Sequence, residues 1–182
     1  MLRLASSSPT RAELLRSADI AFVQQSVDFD EERIIASCPK NFVYQATLGK
    51  YEANLKAFGY DDLPLLVADT VVASGGQILR KAKCAGDARN ILMTQSSNIT
   101  SIITCMIYQS KTMKIVDIST TEYLFDAFDL DDIEAYIASG EWRGKAGACM
   151  VEGFCKKYIK SVKGHESTAM GLNTELLRRF LS

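Results

Sequence analysis

An ionised carboxylate inside an apolar run costs several kcal/mol unless a cation or a metal compensates it. Asp69 occupies such a place: Leu65-Leu66-Val67-Ala68 precedes it, and Val71-Val72 resumes the apolar run after Thr70. At a strand end this side chain could hold a divalent ion or take a proton from an attacking water. A purely structural role, pairing with a lysine or capping a turn, is the alternative. The acidic stretch Asp28-Phe29-Asp30-Glu31-Glu32 offers a second carboxylate for a hard cation, although such runs are commonly solvated loops.

The cationic counterpart begins at residues 6 to 11, Ser6-Ser7-Ser8-Pro9-Thr10-Arg11. Ser8 suits a helix N-cap and Pro9 the first helical position, where a missing amide hydrogen costs nothing. Arg11 in the first turn opposes the positive end of the helix dipole, and an anion docked there removes the conflict. Three hydroxyls, free amides and a guanidinium fork suit a phosphate, while a capped helix with a solvated arginine is the plainer reading. Lys50, Arg80, Lys81 and Lys83 are further cations, and Arg11, Lys50, Lys81 and Lys83 could surround a triphosphate if the strand ends converge. Neither a Gly-x-x-x-x-Gly-Lys-Ser/Thr loop nor a Gly-x-Gly-x-x-Gly fingerprint is present, which leaves P-loop NTPases and Rossmann dehydrogenases unsupported.

His165 is the only histidine of the 182 residues, so Ser-His-Asp, Cys-His and multi-histidine metal devices have little to work with. It sits in the polar turn Lys163-Gly164-His165-Glu166-Ser167 and reads as a surface residue. The five cysteines, at 38, 84, 105, 149 and 155, form no Cys-x-x-Cys pair and are odd in number, which predicts reduced thiols rather than a zinc ribbon or a disulfide framework. Acidic and basic residues nearly balance, at 22 against 21, so no whole-protein field attracts nucleic acid or an anionic membrane. No signal-peptide pattern and no membrane-length apolar run is seen, and a soluble, cytoplasmic protein is expected. The acidic cluster Asp126, Asp129, Asp131, Asp132 and Glu134 lacks EF-hand spacing and reads as a helix start.

The elements that must position these groups follow from periodicity. Strands are expected over Leu2 to Ala5, Ala21 to Val27, Leu65 to Ala68 with Val71-Val72 after an interruption at Asp69-Thr70, Ile99 to Tyr108, Lys114 to Phe125 and Tyr158 to Val162. Helices are expected from Pro9, over Asn41 to Phe58, Ala85 to Met93, Leu130 to Ala138 and Thr174 to Leu181. Gly75-Gly76 marks a turn. Strands alternate with helices early and pair as hairpins later, which predicts an α/β fold with a mixed sheet, as one domain over 1–182 or two small lobes sharing that sheet.

In order and spacing, Leu4-Ala5-Ser6-Ser7-Ser8-Pro9-Thr10-Arg11, Asp28-Phe29-Asp30-Glu31, Lys50, Ala68-Asp69-Thr70-Val71-Val72, Lys81-Ala82-Lys83, Lys145-Ala146-Gly147-Ala148, Glu152-Gly153 and Gly171-Leu172 resemble the Maf family of nucleoside triphosphate pyrophosphatases. The resemblance spans nearly the whole chain. It implies an inosine triphosphatase-like fold, a mixed twisted sheet with flanking helices and two lobes around a nucleotide cleft. Asp69 would be the catalytic proton acceptor, Glu31 with Asp69 would hold a divalent metal, Mg2+ or Mn2+, and Ser8, Arg11, Lys50, Lys81 and Lys83 would bind phosphates. Base choice would depend on Thr10, Thr70 and Glu152, a mixed set that matches neither the pyrimidine nor the 7-methyl-GTP branch. The implied reaction releases a nucleoside monophosphate and pyrophosphate, and the implied assembly is a homodimer with no nucleic-acid or membrane partner. The family is also linked to arrest of cell division.

Three departures stand out: Ala82 replaces the proline of Lys-Pro-Lys, Ser97 the glycine of the middle helix–strand turn, and Asn173 the proline of Gly-Leu-Pro. They leave open a non-catalytic nucleotide-sensing regulator of cell division, and product analysis would separate both from a phosphatase that releases single phosphates.

Overall fold

The computed structural model describes residues 1–31, 34–36 and 38–181; Glu32 of the acidic stretch lies outside them. In chain order the elements are β1 (Leu2–Leu4), α1 (Pro9–Ser17), β2 (Phe22–Gln24), α2 (Pro39–Phe58), β3 (Leu65–Ser74), β4 (Gln77–Ile78), α3 (Ala85–Gln95), β5 (Ile99–Gln109), β6 (Lys114–Phe125), α4 (Leu130–Ser139), a 3-10 helix (Phe154–Tyr158), β7 (Ile159–Lys163), α5 (Glu166–Ala169) and α6 (Thr174–Leu181). The seven strands form one mixed sheet in the order β2-β1-β3-β5-β6-β7, with β4 on β3. β1 runs parallel to β2 and β3, whereas β4 and β7 pair antiparallel with β3 and β6.

Two compact units divide the chain: residues 1–70, 103–120 and 165–182 in the first, and 71–102 with 121–164 in the second. In the first unit, β3 is buried on both faces, which explains its uninterrupted apolar start. Leu66 and Ala68 pack with Leu2, Leu4, Leu15, Met106 and Leu177, the last three from α1, β5 and α6. Leu65 and Val67 pack the other way, with Ala5, Tyr51 of α2 and Ile107. The two-residue period of the strand therefore separates a face toward α1 and α6 from a face toward α2.

An aromatic cluster forms the core of the second unit. Phe128 meets Phe125, Phe154 and Tyr158 at ring-centroid separations of 5.4, 5.5 and 4.7 Å, and Tyr136 stacks on Phe154. Buried Gln95 donates to the carbonyl of Gly147 at 2.7 Å. Gly147 has φ 69°, and a Cβ there would lie 2.9 Å from Val72, so glycine is required.

Several expectations need correction. β2 covers only Phe22–Gln24 instead of Ala21 to Val27, because the chain leaves the sheet to meet α2. Asp69 and Thr70 do not interrupt β3, which runs unbroken for ten residues; a strand tolerates a polar pair when its side chains find partners, as these do. Cys149 and Cys155 form a disulfide, against the expectation of reduced thiols. The turn after Cys149 leads into the 3-10 helix that carries Cys155 and brings the two Cα atoms to 6.5 Å, within disulfide reach. Cys38 and Cys84 are exposed thiols and Cys105 is buried.

Ser97, where the resembled motif has glycine, adopts a left-handed backbone at φ 56°. Asn173 compensates the lost proline by capping α6, since its Oδ1 accepts from the Leu176 amide at 3.1 Å. Among the described residues no helix is long and apolar enough to cross a membrane.

Candidate functional site

Where β1 ends at Leu4, its parallel neighbour β3 continues, and the chain turns through Ala5 to Ser8 into α1. Parallel sheets commonly bind ligands beyond such carboxyl ends, because connecting loops and helix N-termini converge there. A cavity of about 260 Å³ lies at this place, lined by Ser6, Ser7, Ser8, Arg11, Glu31 and Lys50 among others.

Ser8 is the N-cap of α1, its Oγ accepting from the Arg11 amide at 3.3 Å, with Pro9 opening the helix as expected. The Ser6 hydroxyl accepts from the Ser8 amide at 3.2 Å and from Arg11 Nη1 at 3.1 Å. Arg11 turns away from free solvent: its Nε donates to the Gly171 carbonyl at 2.9 Å and its Nη2 to Thr70 Oγ1 at 3.1 Å. Burial pulls the Arg11 guanidinium below its ordinary value, against the attraction of Asp69 and Glu31. It stays charged, since arginine does not deprotonate in proteins.

The carboxylates come from different elements and meet on one ammonium. Lys50 Nζ of α2 lies 2.6 Å from Asp69 Oδ1 and 2.5 Å from Glu31 Oε1. Asp69 points to α2 for the reason Leu65 and Val67 do, being four residues beyond the first and two beyond the second on the same face. Glu31 is brought there by two attachments of its loop to α2. Asn54 Oδ1 accepts from the Val27 amide at 3.0 Å while its Nδ2 donates to the Lys50 carbonyl at 2.8 Å. The Phe29 ring lies over Gly49, where an added Cβ would fall 2.2 Å from its Cζ.

Desolvation raises the Asp69 carboxyl above its ordinary value and the Glu31 charge adds to it, while Lys50 and Arg11 pull it back. Asp69 does not itself line the cavity, whereas its partner Lys50 and its neighbour Ala68 do; a carboxylate of raised basicity next to those lining residues suits proton abstraction from water. Among the described residues no group of three or more His, Cys, Asp or Glu side chains gathers as a metal cage.

Ser8, Arg11, Glu31, Lys50, Asp69, Thr10 and Thr70 thus belong to the first unit, and Thr10 is half-buried in the first turn of α1. Lys81, Lys83 and Glu152 belong to the second and are exposed. Lys81 bridges Ala146 in antiparallel fashion, which joins the 81–83 stretch to 145–148, and the Lys83 amide donates to Asp87 at 2.9 Å. Glu152 lies within the loop closed by the disulfide.

Ser6, one of the three hydroxyls expected at the helix start, bridges to Arg11, and residues that sequence reasoning passed over also build the site: Asn54 and the Phe29–Gly49 contact as loop anchors, and Thr104 behind Thr70. Only Gly49 left a trace in the sequence. A glycine inside a helix costs about 1 kcal/mol relative to alanine and so demands a packing reason.

The family described as Maf-like protein matches residues 1–182. A protein of a Nitratiruptor species named nucleoside triphosphate pyrophosphatase is 54% identical over 179 residues, covering 97% of this chain and 96% of that one. Proteins of the same name from Helicobacter pylori (strain J99) and Campylobacter jejuni (serotype O:23/36, strain 81-176) are 38% and 35% identical, covering 96% and 100% of this chain and 91% and 100% of theirs. The family match over residues 1–182, together with 54% identity to a relative covered almost end to end, makes this chain a member of the Maf-like protein family.

Proposed function

We propose that the protein is a nucleoside triphosphate pyrophosphatase that cleaves its substrate between the α- and β-phosphates with the help of a divalent cation. The single observation that carries the proposal is the meeting of Glu31 and Asp69 on one cation, beside a helix start lined by hydroxyls and a guanidinium. The names of the relatives point the same way.

Asp69 takes the proton of an attacking water, whose oxygen forms a bond to the α-phosphorus as the α–β bridging bond breaks and pyrophosphate leaves. Its raised pKa makes it a stronger base than an exposed aspartate. Arg11, the Ser8 hydroxyl and the Thr10 amide bind phosphate oxygens, since Pro9 has no N–H and the Arg11 amide is held by the Ser8 cap. Lys50 orients both carboxylates and offers a second positive charge to the phosphate chain. The assignment of Lys81 and Lys83 to phosphates, and of Glu152 to the base, rests on the family resemblance alone.

Magnesium accepts one or two carboxylates and fills its remaining positions with water and substrate phosphate. Glu31 and Asp69 fit that donor set, because they already share a cation, and they would hold the metal. Mg2+ or Mn2+ would supply charge neutralisation on the phosphates and acidify water. A cytoplasmic location, a homodimer and a role in arresting cell division belong to the proposal through the family resemblance.

The test is incubation with a panel of ribo- and deoxyribonucleoside triphosphates with Mg2+ or Mn2+, followed by identification of products. Monophosphate and pyrophosphate in equal amounts are expected, and Asp69→Asn lowers the release of both by about 10²–10⁴-fold. Orthophosphate release, or tight nucleotide binding without turnover, would replace the proposal with a phosphatase or a sensor.

A further inference from the structure

The hydrogen-bond chain behind Arg11 has a determined direction. Thr104 Oγ1 lies 2.7 Å from the carbonyl of Thr168, which can only accept, so the one hydroxyl proton of Thr104 is committed there. In the 2.9 Å contact between the two hydroxyls Thr70 must then be the donor and Thr104 the acceptor. Thr70 keeps its lone pairs for Arg11 Nη2, at 3.1 Å. The order is thus Arg11 to Thr70 to Thr104 to the Thr168 carbonyl, and Thr104, 1% exposed, is shielded from water that could reverse it.

Gly171 fixes the other side of the guanidinium. Its carbonyl accepts from Arg11 Nε at 2.9 Å. Its φ of 108° belongs to glycine, and an added Cβ would lie 3.3 Å from both Arg11 Nε and Thr70 Oγ1. With Ser6 on Nη1, three of the five guanidinium N–H groups are used, and each terminal nitrogen retains one N–H.

We propose that Thr70 and Thr104 are positioning residues that hold the Arg11 guanidinium in place for the phosphate chain of the nucleotide. This rests on the pyrophosphatase reading of the same site. Thr70, with its proton committed to Thr104 and a lone pair to Arg11, supports phosphate binding for every nucleotide through that guanidinium.

The experiment compares wild type with Thr104→Val, Thr104→Ser and Thr70→Val, using ATP, GTP, CTP, UTP and dTTP with Mg2+, and measures affinity for inorganic pyrophosphate by calorimetry without added metal. Thr104→Val keeps the volume and removes the acceptor. It is expected to raise KM about ten-fold for every nucleotide with kcat within about two-fold, the signature of lost ground-state binding. Ratios of kcat/KM among the bases stay at wild-type values, Thr104→Ser recovers the wild-type KM, and Thr70→Val reproduces the Thr104→Val effect should the latter fold poorly.

An unchanged KM, a shift in base preference, or failure of folded Thr104→Ser to recover overturns the positioning role. A wild-type protein that hydrolyses none of the five refutes the pyrophosphatase reading instead. The calorimetry then decides the relay by itself: about ten-fold weaker pyrophosphate binding by Thr104→Val supports it, and equal binding overturns it.

Discussion

Asp69 and Thr70 are consecutive residues of β3 that serve opposite faces of the sheet: Asp69 accepts from Lys50 of α2, and Thr70 accepts from Arg11 of α1. One step along the strand thus links the carboxylate to the guanidinium. Because the side-chain period of a strand is two, a one-residue register slip would exchange these partners.

Replacing Asp69 by asparagine separates catalysis from stability. Activity is expected to fall by about 10²–10⁴-fold, the range for loss of a general base. Stability moves the other way at neutral pH. Burial raises the native pKa of Asp69 above the unfolded value near 3.9, so below that value both states are protonated and nothing is lost. As pH rises, the unfolded chain releases its proton first, and the native state loses stability up to and through its own higher pKa. An asparagine side chain cannot ionise, so the Tm gain of Asp69→Asn should be absent near pH 3 and grow toward pH 7. Thermal melts over that range check it, and a constant gain at all pH values would count against the burial account.

Lys50 holds two carboxylates together, so Lys50→Met leaves like charges facing each other across a partly buried gap. A loss of about 1–3 kcal/mol is expected, as for other polar groups left without a partner. Mg2+ should then raise the Tm of the variant more than that of wild type, because a divalent ion restores the missing charge between Glu31 and Asp69. Equal Mg2+ shifts would show that these carboxylates do not hold the metal.

Gly49→Ala gains up to about 1 kcal/mol of helix propensity and displaces the Phe29 ring, which the new Cβ would otherwise overlap. Glu31, two residues beyond, moves with that loop. Stability should therefore change little while kcat/KM falls on the order of ten-fold or more, since small misplacements near a reacting centre are costly. Paired Tm and kinetic measurements read both effects, and unchanged kinetics would detach Phe29 from the site.

Ser97→Gly should stabilise the protein by about 1 kcal/mol, relieving a side chain held at φ 56° in the left-handed region. Chemical denaturation gives the value. Kinetic constants should be unaffected, because Ser97 lies in the α3–β5 turn of the second unit.

Much of this molecule is legible in the chain. Ser8 and Pro9 announce α1, Lys114 to Phe125 matches β6 end to end, and the apolar run from Leu65 marks the doubly buried strand. Each is a local signal: a cap, an alternation, an unbroken hydrophobic stretch. The true length of β2 and the 149–155 disulfide escape such signals because both depend on where other chain segments return.

By itself the sequence determined which chemistry was available: one histidine, an aspartate set in apolar surroundings, and a cationic helix start within a family-wide motif order. Tertiary structure alone decided who meets whom. Lys50 lies between Glu31 and Asp69, Thr104 stands behind Thr70, and Gly171 closes on Arg11 from 160 residues away. The physical reason is that a hydrogen bond or ion pair depends on separation in space, and loop closure across a sheet brings together groups that no spacing along the chain encodes.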